Sequence, residues 1–358
     1  MRRRTMLAAA AAGMTVGGCT AAPAHPPAHP PAHPPAPARP ERQPGIVTPP
    51  PGFLALVALD VTAAGPAAPL ASLTDRISRV HGAGAATVTL AVGASLFDER
   101  FGLSGLRPAG LAAMPSFPSD VLDAGRCHGD LLLQVCADRA EEATTVADDL
   151  VAAAAGAVRI RWRTNGFRAE NTVTPAGRPS TRNLFGFREG AGNPDPGDDA
   201  LMERLVWAGG GTYQVVRLIR FAVGLWNRDP VTRQEEMIGR HRADGTPLAG
   251  GAEDADFSYA GDPDGQVTPL DAHIRRANPR TADSREHRIL RRGYSYGAGA
   301  DQGLIFICFQ RDIEAGFATV QRRLDGETLQ RYVLPFGGGY YFVPPSVAAL
   351  HATVLTKG

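Results

Sequence analysis

Two different spacings of apolar residues alternate along the chain and predict its secondary structure. Segment 69–82 is one example, because its apolar residues fall on one face of a helix: Leu70, Leu73, Ile77 and Val80. In the first half of the chain the predicted elements are strand 52–61, helix 69–82, strand 86–97, strand 130–138, helix 139–156 and strand 158–164. This order, βαββαβ, is typical of a ferredoxin-like domain.

The second half repeats this order less regularly. Its predicted elements are strand 211–223, helix 229–240, a strand in the stretch RRGYSYG, strand 302–311, helix 312–324 and the apolar strand 340–343. A polar insertion of about 45 residues follows the first of these helices, and structureless loops of that length are usually functional. We therefore expect an α+β chain with two ferredoxin-like halves, residues 51–200 and 201–358.

The first 18 residues, MRRRTMLAAAAAGMTVGG, combine a basic start with a short alanine-rich apolar run. This pattern predicts an export signal at 1–18, and its adjacent arginines resemble a twin-arginine signal. The residues before Cys19 also resemble a lipoprotein cleavage site, which would place a lipid on that cysteine. A plain secretory signal is the alternative. We expect export through the twin-arginine route to an extracellular or periplasmic location, or a lipid anchor at the outer face of the cell membrane.

Residues 19–50 are rich in proline, which favours extended polyproline II structure rather than a packed core. Three histidines recur there at every fourth position: His25, His29 and His33. A metal-binding tract could have this repeat, but a repeat-expanded spacer also has it, and the composition favours the spacer. The segment is therefore predicted to be a semi-rigid linker.

The composition argues against two classes of protein. The formal net charge is +1, whereas a nucleic-acid-binding protein normally carries a basic excess. No apolar run reaches the roughly 18 residues that a membrane-spanning helix needs. Beyond Cys19 an odd number of cysteines remains, which gives no complete disulfide framework: Cys127, Cys136 and Cys308. We expect no nucleic-acid partner, and membrane contact only through a lipid anchor.

The stretch GFREGAGNPDPGDD, residues 186–199, surrounds a single glutamate, Glu189, with glycine and proline. Glycine permits positive φ and lets the backbone approach another group closely. Taken alone, such a stretch is most often a turn between domains, and it lies where the two predicted halves meet. The other interpretation is a loop that presents Glu189 to a ligand.

A second candidate is His273, in the stretch VTPLDAHIRRANPR. Thr268 as the cap, Pro269 at the first helical position and Asp271 three residues after the cap form a helix-start pattern. This pattern predicts a helix over 269–277 with His273 near its middle. Three arginines around this histidine would suit a ligand that carries carboxylate or phosphate: Arg275, Arg276 and Arg280. A surface histidine in a basic helix is the alternative.

A third stretch, ILRRGYSYG, places Arg291 and Arg292 before a strand, a position typical of a solvated sheet edge.

Five stretches, taken in order, are more specific: GFREG-GNP, NRDPVTRQEEMIGRHRADGTPL, DAHIRRANPR, ILRRGYSYG and LIFICFQRD. This series resembles the dye-decolourising peroxidases, in particular the exported peroxidases also described as deferrochelatases. The stretch CHGDLLLQVCAD fits as well, so the resemblance extends from about residue 50 onward.

The resemblance implies a haem b cofactor in a pocket formed mainly by the C-terminal half. His273 would be the proximal iron ligand, Arg291 the distal arginine and Glu189 the distal acid. The family usually has aspartate in place of this glutamate. By the same matching, the haem would be lined by Gly190, Ala191, Gly192, Asn278, Pro279 and Arg280. The carboxylate that orients the proximal histidine would be Glu327.

These residues imply an enzyme that reduces hydrogen peroxide and oxidises dyes, phenols or similar small organic donors. A histidine ligand leaves one face of haem iron open, while a carboxylate can move a proton and a fixed arginine can stabilise negative charge. Glutamate in place of aspartate keeps a second hypothesis open, that of an exported haem- or iron-handling protein of the deferrochelatase type. Such a protein would have weak peroxidase activity and iron-uptake partners. A homo-oligomer is expected in either case.

Overall fold

A computed structural model describes residues 42–84 and 86–356 of the chain. The predicted export signal, and the linker as far as residue 41, lie outside the described residues. The described strands are β1 Phe53–Val61, β2 Thr87–Gly93, β3 Leu131–Ala137, β4 Val158–Phe167, β5 Ala169–Val173, β6 Pro179–Arg182, β7 Arg188–Glu189, β8 Thr212–Phe221, β9 Leu290–Arg291, β10 Tyr294–Ala298, β11 Asp301–Gln310 and β12 Val333–Val343. The described α-helices are α1 Ala67–Ala83, α2 Ala140–Ala153, α3 Asp199–Leu205, α4 Val223–Trp226, α5 Val231–Ile238, α6 His273–Ala277, α7 Ala282–Glu286, α8 Thr319–Leu324 and α9 Val347–Leu355.

The first half forms an antiparallel sheet with the strand order β4-β1-β3-β2. Helices α1 and α2 connect its strands in the βαββαβ order, which confirms the ferredoxin-like prediction. Strand β2 ends at Gly93 rather than at residue 97, because Ala94–Phe97 forms a 3₁₀ turn. That turn buries both Leu96 and Phe97, which a strand would direct to opposite faces.

The second half has the corresponding strand order β12-β8-β11, with β9 and β10 both paired to β11. Two elements of this half differ from the prediction. The predicted helix 312–324 begins as a π-helical segment, Glu314–Ala318, before α8. Strand β12 begins at Val333, well before the predicted residue 340, because a bulge at Pro335 and the run Gly337–Gly339 break its apolar alternation.

The two halves join at both edges of their sheets. Val92 in β2 pairs with Phe342 in β12, and Phe167 in β4 pairs with Ser295 in β10. The nine-stranded sheet therefore closes on itself. Its interior is filled by buried side chains from both halves, including Leu56, Leu132, Trp162, Leu218, Phe309 and Tyr341. A separate cluster, with residues from both halves, includes buried side chains of α1, α2 and α9.

The end of the predicted linker is part of the folded unit. Nε2 of Gln43 donates to the carbonyls of Leu90 and Pro344, at 2.9 Å each, and the amide of Leu90 donates to Oε1 of Gln43. Ile46 is buried in the interior of the closed sheet. The end of the linker, predicted at residue 50, therefore overlaps the folded unit. The high proline content of this segment gave no indication that Gln43 and Ile46 are part of the fold.

Two expectations from the composition concern the described residues. Within 42–84 and 86–356, no helix is long and apolar enough to cross a membrane. Cys127, Cys136 and Cys308 are buried and free, and a buried free cysteine packs as a small apolar side chain.

Candidate haem site

A cavity of about 510 Å³ lies mainly in the second half, a size usual for pockets that hold small molecules. Among its lining residues are nearly all those proposed from the sequence: Glu189, Gly190, Ala191, Gly192, His273, Asn278, Arg280, Arg291 and Glu327. Pro279 is not among the lining residues, although its neighbours Asn278 and Arg280 are.

His273 and Glu327 form a pair at the wall of this cavity. Nδ1 of His273 lies 2.9 Å from Oε2 and 3.1 Å from Oε1 of Glu327, which is buried. Burial lowers the pKa of His273, but the charge and hydrogen bond of Glu327 outweigh it, so the pKa is raised. Because the carboxylate accepts the proton of Nδ1, the lone pair of the neutral ring is on Nε2, which is free to ligate a metal.

The predicted helix around His273 begins later than its sequence suggests. Ala272 is extended, and α6 begins at His273 itself rather than at residue 269. The Thr268 hydroxyl is buried and has no hydrogen-bond partner among the described residues, so it does not cap the helix. Asp271, three residues farther on, instead accepts from Arg276 and from the backbone of Thr328. The histidine is thus held where a loop becomes a helix.

Glu189 lies at the end of β7, in the small sheet β5-β6-β7. Its Oε1 accepts a 2.9 Å hydrogen bond from Nδ2 of Asn183. The following residue, Gly190, has φ +113°, and a Cβ there would lie 2.2 Å from the carbonyl oxygen of Pro179. Only glycine fits this close approach, so the glycine at position 190 has a local structural cause.

Arg291, at the end of β9, is fixed by Asn193. Oδ1 of Asn193 accepts from N and Nε of Arg291 at 3.0 and 3.2 Å, and its Nδ2 donates to the Arg291 carbonyl at 2.8 Å. A Cβ at Gly192 would lie 3.0 Å from Nη2 of Arg291, so this glycine makes room for the guanidinium. Burial lowers the pKa of Arg291, and Glu189 and Cys308 partly offset this, but a guanidinium stays charged at neutral pH.

The arginines around the cavity differ from those expected. Arg275 and Arg276 bond to Asp262 and Asp271 and do not line the cavity, whereas Arg280 does. Arg178 and Arg288 also line it, although no pattern in the sequence indicated either residue. Burial, followed by repulsion from neighbouring arginines, lowers the pKa of Arg288.

These features fit a haem. Nε of Arg280 and Nε of Arg288 are buried without hydrogen-bond partners among the described residues, and carboxylates such as those of haem would satisfy them. The cavity wall also contains many apolar side chains, among them Phe187, Ile219, Leu304, Phe306 and Phe317. A porphyrin would supply the ligands that a single imidazole cannot, and it would bury its flat apolar faces here.

Family models match both halves of the chain. Dyp-type peroxidase, N-terminal, matches residues 43–168, and Dyp-type peroxidase, C-terminal, matches residues 180–348. The chain belongs to the Dyp-type peroxidase family. The peroxidase is 39% identical to the deferrochelatase of Escherichia coli (strain K12), over 96% of this chain and 94% of that protein.

Solved structures give the same result for the fold. The DyP-type peroxidase from Cellulomonas bogoriensis has a TM-score of 0.77 and 36% identity, covering 87% of this chain and 94% of that one. The oxyferrous complex of DtpA from Streptomyces lividans has a TM-score of 0.78 and 34% identity, covering 86% of this chain and 92% of that one. Family membership confirms the α+β fold, the haem cofactor and peroxidase as the class of enzyme.

Proposed function

We propose that this peroxidase reduces hydrogen peroxide with Glu189 as the distal proton acceptor, Arg291 as the distal cation and His273 as the proximal iron ligand. The observation that carries the proposal is the convergence of these side chains on one cavity, each held by its own hydrogen-bond partner. Dyes, phenols and similar small organic molecules are the proposed donors of electrons.

When bound, haem would supply the redox chemistry for the reduction of peroxide and the oxidation of donors, and His273 would hold its iron. Oε2 of Glu189 accepts a proton from one peroxide oxygen and returns it to the other, which must gain a proton as the O–O bond breaks. The fixed charge of Arg291 stabilises the negative charge that develops on the departing oxygen. Glu327 holds the Nδ1 proton of His273 and gives the ring anionic character.

Substitution of Glu189 by Gln tests this proposal, because the amide keeps the shape of the side chain and removes the base. The rate constant for reaction with hydrogen peroxide, followed by stopped-flow absorbance, is expected to fall about 10²- to 10⁴-fold. Haem occupancy should not change. Glu236→Gln, at an exposed position, is the control. A Glu189→Gln variant that reacts at the parental rate would show that Glu189 is not the proton acceptor.

A second function is favoured by similarity to proteins named deferrochelatase. In this alternative, the chain is an exported haem- or iron-handling protein with weak peroxidase activity. Steady-state turnover with peroxide and an anthraquinone dye separates the two functions. Turnover no faster than that of free haemin, together with release of iron from added haem, would favour the second.

Location and assembly are further parts of the proposal. We propose export by the twin-arginine route, followed by release outside the cell or into the periplasm, or by lipid attachment at Cys19. The basic start and the residues before Cys19 support this proposal. The mass of the mature N-terminus distinguishes a lipid from a cleaved soluble form. Sedimentation of the haem-loaded protein tests the proposed homo-oligomer, and co-purification from the cell envelope tests for iron-uptake partners.

A further inference from the structure

The side-chain amide of Asn183 has its orientation fixed by the backbone. Its Oδ1 accepts from the amides of Phe185 and Phe187, at 3.0 and 3.1 Å. An amide oxygen engaged by two N–H donors leaves the NH₂ group to face the other way. That group donates to Oε1 of Glu189 at 2.9 Å. The turn before β7 therefore presents one hydrogen-bond donor to the carboxylate at a fixed position.

The second carboxylate oxygen of Glu189 lies against a glycine. A Cβ at Gly293 would be 3.2 Å from Oε2 of Glu189 and 3.3 Å from Leu304. That spacing is tighter than ordinary van der Waals contact, so a side chain here would push against the carboxylate. Gly293 thus leaves room for a glutamate, which extends one methylene farther than aspartate.

Charged groups nearby do not hold Glu189 in place. Arg168, Arg291 and His273 all interact with it electrostatically. Among the described residues, however, none of the three comes within ion-pair or hydrogen-bond distance of its carboxylate. Nε of Arg291 is engaged by Asn193, and Nη1 of Arg168 donates to the carbonyl of Gly293. The direct contact is made by Asn183.

We propose that Asn183 is a positioning residue that fixes the Glu189 carboxylate for proton transfer, and that Gly293 accommodates the longer side chain. Asn183 engages Oε1, and Oε2 remains available to peroxide. This inference rests on the proposed role of Glu189. It also accounts for glutamate at this position, because aspartate would draw the carboxylate back from Nδ2 of Asn183.

Asn183→Asp is the principal test, since Asp retains an oxygen for the amides of Phe185 and Phe187 and presents oxygen rather than N–H to Glu189. Haem-loaded Asn183→Asp is expected to react with hydrogen peroxide about 10- to 100-fold more slowly than the parent. The association rate of cyanide, added as hydrogen cyanide and followed by absorbance, should fall in parallel, because hydrogen cyanide must also give up a proton on binding. Asn227→Asp, at an exposed position, is the matched control.

A double-mutant cycle separates positioning from a structural role. In the Glu189→Gln background, Asn183→Asp should change either rate by less than about twofold, because the group that it positions is already lost. Gly293→Ala makes no change to the hydrogen bonds of the turn and should also slow both reactions. Thermal unfolding of each haem-loaded variant verifies that it is folded.

The outcomes are distinguishable. If Glu189→Gln reacts at the parental rate, the proposed function fails. If Glu189→Gln is slow but Asn183→Asp and Gly293→Ala match the parent, the proposed function stands and the positioning role is overturned. Equal losses from Asn183→Asp in both backgrounds would likewise overturn it, because they would show an effect independent of Glu189.

Discussion

Both carboxylate oxygens of Glu327 lie within 3.1 Å of Nδ1 of His273, although 54 positions separate the two residues. The contact joins the start of α6 to the chain just before β12. Asp271 reinforces it, since its Oδ2 accepts from the backbone of Thr328. Asp271, two residues before the histidine, and Thr328, directly after the glutamate, thus link the two segments and fix the orientation of the imidazole ring.

Glu327→Gln should retain a hydrogen bond to Nδ1 and lose the negative charge. We expect haem to stay bound, the reduction potential of the iron to rise, and reaction with hydrogen peroxide to slow about 10- to 100-fold. Spectroelectrochemistry and stopped-flow absorbance measure the two effects. Glu235→Gln is the matched control, because Oε2 of Glu235 lies 3.2 Å from Nδ1 of His241. Neither residue lines the cavity. An unchanged potential would contradict the proposed effect of the charge.

His273→Gly should remove the iron ligand and leave a space in its place. Purified protein is expected to lose most of its haem, and added imidazole should restore the absorbance band of the bound cofactor by occupying that space. His241→Gly, which removes another histidine paired to a glutamate, should bind haem like the parent. Full haem occupancy in His273→Gly without imidazole would show that another residue ligates the iron.

The fold was predictable where apolar spacing was continuous and less so where glycine or a bulge interrupted it. The first half was predicted nearly element by element, whereas most of β12 was hidden by Gly337–Gly339. The series of motifs identified His273, Glu189 and Arg291 as site residues. The local sequence pattern placed the start of the helix too early, because the carboxylate of Asp271 accepts from Thr328 instead of capping the helix.

The partners of the site residues were less accessible to sequence reasoning. Glu327 was assigned only by a loose motif match, and its contact with His273 depends on how α6 packs beside β12. Asn183 gave no signal at all, although it precedes the GFREG stretch by only a few positions. An asparagine's hydrogen-bond partners are set by the turn that carries it, and the spacing of residues does not specify that turn.

Gly192→Ala should disturb the distal arginine without removing it. The new Cβ would lie 3.0 Å from Nη2 of Arg291, so the guanidinium must move. We expect a slower reaction with peroxide than in the parent, but a smaller loss than the roughly 10²- to 10³-fold expected for Arg291→Ala. Gly224→Ala is the control, because a Cβ there would meet nothing within 4 Å. If stopped-flow absorbance gave the same rate constant with peroxide for Gly192→Ala and the parent, the space beside the Arg291 guanidinium would not be needed for the reaction.

Asp120→Ala should destabilise the fold through the charge that it leaves behind. Asp120 and Arg217 form a buried ion pair, in which Nη1 donates to Oδ2 at 2.9 Å and only 2% of the arginine side chain is exposed. Removing one partner of such a pair typically lowers the free energy of unfolding by about 3–5 kcal/mol. Urea denaturation at saturating haem, followed by tryptophan fluorescence, measures this change.

A second substitution distinguishes an unpaired buried charge from a simple loss of packing as the cause of the instability. Since the cost comes from an unpaired buried charge, adding Arg217→Met to Asp120→Ala should recover much of the lost stability. The exposed pair between Arg163 and Asp148 is the control, and Asp148→Ala should cost no more than about 1 kcal/mol. If the double variant were as unstable as the two single losses added together, packing around β8 rather than the buried charge would determine the stability of this region.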